Sequence, residues 1–534
     1  MPSFELTTLD LSMVVLYVLF IVGLGFYFAR KTQDETDYFL AGRSLTWWLI
    51  GFSLLASNLS SSSLLGMAGE AYSRGIAVYN YEWMAALILI VFVLFFLPFY
   101  LKNRIFTMPE FLERRFDARS RYWFSGITIL GNIIIDTAAA LYAGAVVVGI
   151  LYPDVPMWQT IAVLAVLAGL YTIAGGLAAV VYTDAVQAVL LLLGSVLISW
   201  TAFQQVGSWE AVQAAVPPED LSLILPADHP VLPWTGLITG VFLLGFYFWT
   251  NNQFMVQRVL GAKDLDHGRW GALFAGALKL PILFIMVMPG TFARLLYPVE
   301  QYPALANPDY VFPTMMFDLL PVGLRGLVIT ALIAAIMSSV DSTLNAASTL
   351  VTMDFMKKLR PQADRKTLVW TGRVTTFVFM VFAAAWAPQI VKFPTIWQYL
   401  QEVLSYIAPP VVACFVVGIF WKRATGTGAF AGLAGGHLVG LGLFYLRSIQ
   451  DLPAFQFQFL YISVVLFVVS VILIVAVSLI TPAPDPARLE AVTWSPRLFR
   501  QETEALRGVP WYKNYRIQAL ALAAATFVFV YLFR

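Results

Sequence analysis

One apolar segment, residues 332–353, places five polar side chains within about two helical turns. These side chains are Ser338, Ser339, Asp341, Ser342 and Asn345. Four of them share one helix face, because they follow the i, i+3, i+4, i+7 spacing. Hydroxyl, carbonyl and carboxylate oxygens are the ligands that a hard cation such as sodium prefers. Serines alone also occur in ordinary hydrogen bonds between helices, but a carboxylate at membrane depth is costly and usually functional. The segment therefore indicates a candidate cation site.

A second segment, residues 46–72, is long enough to cross a bilayer but is polar at its centre. The polar side chains there are Ser57, Asn58, Ser60, Ser61, Ser62 and Ser63. Such side chains can replace backbone hydrogen bonds where a helix unwinds, and a broken transmembrane helix frees carbonyl groups that can coordinate a cation. The alternative is a continuous helix whose small residues allow close packing. The segment by itself leaves both interpretations open.

The composition decides the class of protein. Of the 534 residues, 60% are hydrophobic and only 12% are charged, which excludes an ordinary soluble domain. The net charge of +2 gives no electrostatic reason to expect nucleic acid as a partner. One cysteine and three widely spaced histidines make up no disulfide framework or thiolate metal cluster. The sequence contains no phosphate-binding glycine loop of the P-loop type, which argues against an ATP-driven pump.

Apolar segments of about 20 residues recur along the whole chain, as expected for an all-α polytopic membrane protein. We predict fourteen transmembrane helices, at 11–29, 46–72, 79–101, 123–152, 157–177, 178–202, 234–256, 270–296, 324–352, 368–391, 394–421, 427–447, 455–481 and 514–533. The first of them lacks a basic leader and a cleavage site, so we interpret it as a retained helix. No linker divides the chain, which predicts a single transmembrane domain over residues 1–534.

Within that domain we predict an inverted five-plus-five helix repeat. An extra N-terminal helix and loop (1–45) precede the first repeat (46–202), and the C-terminal helices (427–534) follow the second repeat (234–421). Five crossings reverse the side on which the second repeat begins. Its leading helix is also interrupted, by Gly245 and by the polar run 250–253. Two broken leading helices at matching positions are typical of transporters, and they indicate where the binding site lies.

Basic residues predict the orientation in the membrane. They concentrate in the loops that follow the first, third, seventh, ninth and eleventh helices, whereas the 203–233 loop contains no Lys or Arg. The positive-inside rule then places both termini outside. We therefore expect a multi-pass protein of a plasma membrane, such as a bacterial inner membrane.

Further polar residues inside predicted helices suggest a shared cavity. They are Glu82, Asp136, Asp184, Lys279 and the pair Gln401–Glu402. Each alone could be a snorkelling or paired structural group, but together they indicate a polar cavity inside one bundle. Tyr81, Phe248 and Trp249 could supply apolar faces to a bound solute, although aromatic residues near helix ends are often membrane-interface residues. Pro409–Pro410 are expected to break or kink the eleventh helix.

Seven sequence motifs, in collinear order between residues 38 and 425, carry a family resemblance. They are YFLAGRSLTWW (38–48), ASN (56–58), TMPEFLERRF (107–116), YTIAGGLAAVVYTDAVQ (171–187), NQFMVQRVLGAK (252–263), MSSVDSTLNAASTLVTMD (337–354) and GIFWKR (418–423). The chain resembles the solute:sodium symporter family, and its sodium/glucose cotransporter branch in particular. The resemblance implies a fourteen-helix inverted-repeat fold and alternating access driven by sodium.

The resemblance also implies sodium ligands. The main sodium site would use the carbonyl groups of Ala56, Leu59 and Ala335 and the hydroxyl groups of Ser338 and Ser339. Some members bind a second sodium ion, at positions that correspond to Asp184, Ser338, Asp341 and Ser342. The family usually has serine, threonine or a small residue where this chain has Asp341. The extra carboxylate could strengthen that site or take up a proton, and we expect two sodium ions rather than one.

The substrate-binding residues expected from the resemblance and from the polar cavity are Ser60, Ser63, Tyr81, Glu82, Asp136, Phe248, Trp249, Lys279 and Gln401. Glu82, Lys279 and Gln401 agree with the sugar-transporting members, and they offer donors and acceptors for hydroxyl groups. The chain departs from the pattern at Ser63, Asp136, Gly245 and Phe248, which leaves the identity of the sugar open. An anionic solute fits poorly, because Glu82 and Asp136 would repel it.

These observations predict a sodium-coupled symporter that imports a small neutral solute, a monosaccharide or polyol, by alternating access. Its partners would be sodium ions, the solute and the lipid bilayer, with no nucleic acid. The alternative is a sodium- or proton-coupled symporter for an amine, an amino acid or another small organic solute, using Asp136, Asp341 and Glu82. A channel or a membrane sensor is a further possibility. An enzyme is not expected, because no nucleophile–base set or metal set is visible.

Overall fold

The structure, a computed structural model, describes residues 7–31, 35–450, 452 and 457–534. In these ranges the chain forms helices joined by loops, and an isolated bridge pairs Leu45 with Ala262. Some helical side chains, including those of residues 170–179, are outside the described set. The predicted all-α architecture is confirmed.

The helices of the first half surround the first break in the chain. They are α1 (Thr8–Lys31), α2 (Glu35–Leu40), α3 (Trp47–Asn58), α4 (Ser61–Arg74), α5 (Asn80–Val91), α6 (Leu97–Lys102), α7 (Met108–Arg115), α8 (Ala118–Gly131), α9 (Ala138–Leu151), α10 (Met157–Val206) and α11 (Trp209–Ala215). Helices α5 and α6 run into each other through a π-helical turn at Phe92–Phe96, and α8 and α9 through another at Asn132–Thr137.

The helices of the second half follow the 216–233 loop. They are α12 (Trp234–Gly236), α13 (Phe242–Phe246), α14 (Gln253–Leu260), α15 (Leu265–Leu278), α16 (Met288–Leu296), α17 (Val311–Leu319), α18 (Leu324–Leu350), α19 (Lys357–Leu359), α20 (Arg365–Trp386), α21 (Ile396–Phe420), α22 (Gly426–Phe444), α23 (Phe459–Ile480), α24 (Pro486–Leu489), α25 (Pro496–Ala505) and α26 (Tyr515–Leu532).

In the described ranges, nine helices are long and apolar enough to cross a membrane, or eleven if each of two bent helix pairs is one span. Two shorter apolar helices, Thr8–Phe20 and Met157–Gly169, accompany them. The chain is therefore a multi-pass membrane protein, while the number fourteen stays a prediction. The sequence predicted two spans, 157–177 and 178–202, where the backbone of α10 is helical throughout. The boundary between them falls among the side chains that lie outside the described residues.

Both predicted interruptions of the leading helices are present. Helices α3 and α4 meet at an angle of 59°, with Ser60 in an extended conformation between them. In the second repeat a π-helical turn at Tyr247–Asn251 ends at Asn252, which is also extended, and α14 begins directly afterwards. Each break therefore divides a leading helix into two helical segments.

The structure differs from the sequence prediction at two other helices. The predicted span 270–296 is bent by 46° between α15 and the segment Leu283–Leu296, and Pro281 lies at that bend, where it removes a helical donor. In contrast, Pro409 and Pro410 lie inside α21, which continues from Ile396 to Phe420. Of the expected break or kink, the break is therefore wrong, and a kink at the two prolines stays a prediction. Nε2 of His437 on α22 lies 3.1 Å from the Ile407 carbonyl oxygen beside the prolines, so a neighbouring helix supports that turn.

Helix α18, which carries the candidate cation site, is fixed at both ends by buried carboxylates. At its start, Asp10 Oδ1 accepts hydrogen bonds from the amides of Gly323 (2.9 Å) and Gly326 (2.8 Å). Beyond its last turn, Asp354 is fully buried and lies 2.5 Å from Arg121 of α8. Thr107 donates a 2.7 Å hydrogen bond to the same carboxylate. The position of α18 is therefore set by α1, α7 and α8.

We expect Asp354→Ala to destabilise the protein by about 3–5 kcal/mol, because it removes the fully buried carboxylate that binds Arg121, Thr107 and Ser125. Arg121 keeps Glu113 as an ion-pair partner. The matched control is Lys358→Ala. Lys358 forms a partly exposed 2.8 Å ion pair with Glu113 in the same cluster, and its loss should change stability by less than about 1 kcal/mol. Denaturant unfolding of the purified variants in detergent measures both values. Equal effects of the two variants would contradict the assignment.

Candidate functional site: a cavity between two broken helices

A cavity of about 100 Å³ lies between the two helix breaks. Its volume is several times the roughly 10–15 Å³ that one water molecule needs. The residues that line it and carry polar or aromatic side chains include Ser57, Asn58, Ser60, Ser62, Ser63, Tyr81, Glu82, Asn132, Asp136, Tyr247, Phe248, Trp249, Asn252, Ser339, Thr343, Trp397 and Gln401. Eight of the nine predicted substrate-binding residues are in this wall, and the ninth, Lys279, lies directly behind it. Their roles in binding stay predictions.

The serine run in residues 60–63 forms the cap of the second half-helix. Ser60 is extended, and its Oγ accepts a hydrogen bond from the Ser63 amide (3.1 Å). The Ser63 hydroxyl donates in turn to the Asn58 carbonyl (2.9 Å). Serine side chains thus take over bonds that a continuous helix would make between backbone groups. This explains why a polar run occurs at membrane depth.

The break frees the two carbonyl groups that the family resemblance assigns to sodium in this segment. In a helix, the carbonyl of Ala56 would accept from the amide of Ser60, and that of Leu59 from the amide of Ser63. Here the Ser60 amide donates to the Asn58 carbonyl (2.9 Å), and the Ser63 amide donates to the Ser60 hydroxyl (3.1 Å). The carbonyl oxygens of Ala56 and Leu59 therefore lack their helical donors.

Helix α18 presents the other predicted ligands to the same region. Ser339 lines the cavity, and its hydroxyl lies 3.0 Å from the Ala335 carbonyl oxygen. Ser57, next to the break, and Ser342 of α18 approach to 3.4 Å between their hydroxyl oxygens. Carbonyl and hydroxyl oxygens form a neutral, hard ligand set of the kind that suits sodium. The residues present therefore fit a sodium ion, and their assignment as ligands stays a prediction.

An arginine that the sequence analysis missed occupies the region of the possible second sodium site. Arg258 is buried and lies 3.1 Å from Asp184. Its guanidinium also donates to Ser53 (2.8 Å) and to the hydroxyl of Ser342. The Ser338 hydroxyl donates to the other oxygen of Asp184 (2.6 Å). Two of the four residues predicted for a second sodium thus already bind a cation of the chain itself.

Arg258 follows the seventh predicted helix (234–256), so it was one of the basic loop residues that predicted the orientation. A signal was available, because Arg258 lies six residues after Asn252 and therefore within two turns of the second break.

Asp341 is fully buried on α18, one turn from Ser338. Its role as a ligand or a proton acceptor stays a prediction.

On the opposite side of the cavity, the charges of two predicted residues cancel. Lys279 Nζ lies 2.6 Å from Glu82 Oε2, and both side chains are buried. The same ammonium group lies 5.2 Å from the centre of the Trp249 ring, within the range of a cation–π contact. Glu82 thus presents carboxylate oxygens to the cavity, and Lys279 behind the wall balances its charge.

Asp136 adds a carboxylate that this pair does not balance. It lies in the π-helical turn at Asn132–Thr137 and lines the cavity. Among the residues that the structure describes, its carboxylate has no ion pair. The described wall of the cavity therefore carries one negative charge when Asp136 is ionised, which disfavours anionic solutes.

An aromatic pair, which we call the lid, covers one end of the cavity. The rings of Tyr81 and Trp397 pack edge to face with 5.4 Å between their centres. Both residues also line a smaller cavity of about 30 Å³, so the lid separates the two spaces. Trp397 was missed by the sequence analysis, although it lies four residues before Gln401 and thus on the same helix face.

Away from the helix breaks, backbone pairing joins the residue segment before α3 to the turn after α14. The Leu45 amide donates to the Gly261 carbonyl, and the Lys263 amide donates to the Leu45 carbonyl, both at 3.0 Å. Arg43 adds a hydrogen bond to the Leu260 carbonyl group (3.3 Å) and two to the carbonyl groups of Arg104 (3.0 Å) and Ile105 (3.1 Å). These bonds tie the start of α3 to the end of α14 and to the loop before α7.

The sequence of the chain matches the model of the sodium:solute symporter family over residues 38–436. The chain belongs to this family. It is similar to sodium/glucose cotransporter 4 of Danio rerio, with 35% identity over 96% of this chain and 84% of that protein. It is also similar to a sodium/mannose cotransporter of Bos taurus (36%; 92% and 90%) and to sodium/myo-inositol cotransporter 2 of Oryctolagus cuniculus (36%; 93% and 80%).

The fold of this symporter agrees with a solved structure. A substrate-bound, outward-open Na+-coupled sialic acid symporter superposes with a TM-score of 0.78 and 23% identity, covering 90% of this chain and all of the other. At that identity the likeness concerns the fold alone. Membership of the family, and not this likeness in fold, shows that the chain is a multi-pass symporter rather than an enzyme and that sodium is the ion to which it couples.

The position of Arg258 leads us to expect one sodium ion per solute, in contrast to the two expected from the sequence. A guanidinium group at Asp184 and Ser342 competes with a second ion by charge repulsion. The reversal potential of solute-coupled current in proteoliposomes, measured at several sodium gradients, gives the stoichiometry directly. A ratio of two sodium ions per solute would contradict this expectation.

Proposed function

We propose that the protein is a sodium-coupled symporter that imports a neutral monosaccharide or polyol by alternating access. The observation that carries this proposal is the cavity, where a charge-balanced Glu82–Lys279 pair lies among hydroxyl, amide and aromatic side chains. A polyhydroxylated solute needs many hydrogen-bond partners but no net charge, and this wall offers that combination.

The polar groups of the cavity match the needs of sugar hydroxyl groups. Glu82 supplies acceptor oxygens, while the amide of Gln401 and the hydroxyls of Ser60 and Ser63 can both donate and accept. Trp249 offers an apolar surface for the C–H face of a ring. The named cargoes of the relatives, glucose, mannose and myo-inositol, belong to this same class of neutral polyhydroxylated solutes.

The geometry of the first break explains how an ion and a solute could be coupled. Ala56 and Leu59 would hold sodium through carbonyl groups, while Asn58, Ser60 and Ser63 of the same turn line the solute cavity. An ion that joins this turn to Ser338 and Ser339 fixes both sites together. Solute then binds better to the sodium-loaded protein, and by linkage sodium binds better to the solute-loaded protein. Entry of one positive charge contributes about 2.3 kcal/mol per 100 mV of membrane potential.

Alternating access requires a barrier on each side of the cavity. The lid (Tyr81 and Trp397) supplies one of them. The other consists of the Leu45–Ala262 bridge and the buried Arg258–Asp184 ion pair, which joins α10 to α14. Opening one barrier while the other stays closed moves the cavity from one side of the membrane to the other.

Asp136 favours a second candidate, a symporter for a protonated amine. An ionised carboxylate without an ion pair in the described wall would attract a cationic solute. Uptake into proteoliposomes decides between the two. A sodium gradient that drives uptake of a neutral sugar or polyol, with no competition from amines, supports the main proposal; uptake of amines, or uptake driven by a pH gradient alone, supports the second.

Ser339→Ala should raise the sodium concentration for half-maximal uptake by about tenfold, since one ligand worth roughly 1.4 kcal/mol is removed. The matched control is Ser348→Ala. Ser348 lies on the same helix, where its hydroxyl donates to the Asn345 carbonyl away from the cavity, so its loss should leave sodium activation unchanged. Solute uptake in proteoliposomes across a series of sodium concentrations measures both variants. Unchanged sodium activation in Ser339→Ala would show that the sodium site is misplaced.

Gln401→Ala should raise the half-saturating solute concentration by about five- to tenfold, because a hydrogen bond to the solute contributes roughly 1 kcal/mol. Sodium activation at saturating solute should change little. Gln398→Ala serves as the control, since Gln398 faces the smaller cavity beyond the lid. Initial uptake rates over a range of solute concentrations report the effect. A loss of maximal rate with an unchanged half-saturating concentration would argue against direct contact with the solute.

A further inference from the structure

We propose that Glu70 and Asp309 form a proton-sensitive latch that holds the lid closed over the cavity. The latch consists of these two carboxylates and the first residues of α21, Thr395 and Ile396. The inference rests on the proposed function, because a latch on the lid matters only if a solute enters past Trp397.

Two carboxylates from separate segments bind the start of α21. Asp309, in a short turn before α17, accepts the Ile396 amide through its oxygens at 3.3 and 3.2 Å. Glu70, near the end of α4, accepts a 2.9 Å hydrogen bond from the Thr395 hydroxyl. Trp397 is the next residue along the chain. The latch therefore fixes the first turn of the helix that carries half of the lid.

Close packing makes this arrangement specific to the closed lid. A Cβ atom on Gly69 would lie only 2.7 Å from the Pro308 carbonyl oxygen, and one on Gly66 would lie 3.1 Å from Cβ of Trp397. Helix α4 therefore touches both the turn that carries Asp309 and the lid itself. If α21 swings away to open the lid, its first turn must leave both carboxylates.

The charges around Asp309 are unbalanced in this closed arrangement. The one guanidinium group beside the latch, Arg74, binds Glu70 at 3.0 Å, and no ion pair to Asp309 exists among the described residues. Tyr142 of α9 and the adjacent Tyr310 are the other titratable groups nearby. Asp309 is 2% exposed. Burial raises the pKa of Asp309 to about 7, with Glu70 adding to the rise and the Ile396 amide opposing it.

The direction of the pH effect follows from proton linkage. An aspartate exposed to water has a pKa of about 3.9. Between about pH 3.9 and about pH 7, Asp309 is therefore protonated when the lid is closed and ionised when the lid is open. Opening the lid in this pH range releases a proton. Acid therefore favours the closed lid, and alkaline solution favours the open one. With pKa values of about 7 and about 3.9, the closed-to-open ratio rises about tenfold from pH 8 to pH 6.

The test uses a thiol reporter inside the cavity. Leu404→Cys places a thiol in the cavity wall, while the native Cys414 is buried and serves as the background. Intact cells expressing the full chain are treated with a membrane-impermeant thiol reagent at a series of external pH values. The same labelling is measured in the double variant Leu404→Cys, Asp309→Asn. Dividing the rate of the single variant by the rate of the double variant removes the pH dependence of the thiol itself.

We expect this ratio to fall about tenfold from pH 8 to pH 6, because only the aspartate titrates. A ratio that stays constant with pH would overturn the proposal. Asp309→Glu should restore a pH-dependent ratio. Asp318→Asn serves as the control, because Asp318 of α17 binds Tyr297 and not the start of α21. This variant should leave the pH profile of the reporter unchanged. A changed profile would argue against Asp309 as the titrating group.

Glu70→Gln provides an independent measurement if Asp309→Asn does not reach the membrane. Removal of the neighbouring negative charge should move the midpoint of the pH profile to lower pH, and an unmoved midpoint would overturn the latch. Sodium-driven solute uptake in the same cells separates the two proposals. If sodium drives solute uptake but the labelling ratio does not change with pH, only the latch is refuted. If the labelling ratio changes with pH but sodium drives no solute uptake, only the proposed function is refuted.

Discussion

The architecture depends on one constraint: a backbone group at membrane depth must find a partner without help from bulk water. Where a spanning helix stops and restarts, several carbonyl and amide groups lose their partners at once. In α3–α4 the serines of residues 60–63 satisfy part of this demand, and the carbonyls of Ala56 and Leu59 lack their helical donors. The ligand set that we propose for sodium would thus arise from the interruption itself, and α18 would complete it with hydroxyl groups.

Charge balance inside the bundle follows the same constraint. Buried carboxylates are compensated by partners on other helices, as in Asp184–Arg258, Glu82–Lys279 and Asp354–Arg121. These pairs hold the helices in register, since removing either partner would leave a buried charge. Asp10, Asp136 and Asp309 depart from the rule, because none of them has an ion pair among the described residues. Asp10 instead accepts backbone amides at the start of α18, while Asp136 lines the solute cavity and Asp309 binds the start of the lid helix.

The two barriers differ in their physical nature. The lid is an aromatic contact between α5 and α21, and it separates two small polar spaces. The opposite barrier combines backbone pairing at Leu45 with the hydrogen bonds of Arg43 and the Arg258 ion pair. An aromatic contact can part without leaving a buried charge exposed to an apolar environment. Opening the proposed second barrier would rearrange the guanidinium group of Arg258. A sodium ion at the proposed ligands would then influence that step electrostatically.

The membrane class, the broken leading helices, the family and eight residues of the cavity wall could be predicted from the amino-acid sequence. These features depend on local composition and on polar residues within single segments, which can be read along the chain. Only the tertiary structure showed that Arg258 binds Asp184, that Trp397 meets Tyr81, that α21 continues through Pro409 and Pro410, and that Asp309 reaches the start of α21. Three of these features are contacts between residues far apart in sequence, and the continuous α21 is accompanied by such a contact, between His437 and Ile407. In a bilayer, contacts of this kind decide which polar groups are hydrogen-bonded within the protein. The remaining polar groups are available to an ion, a proton or a solute.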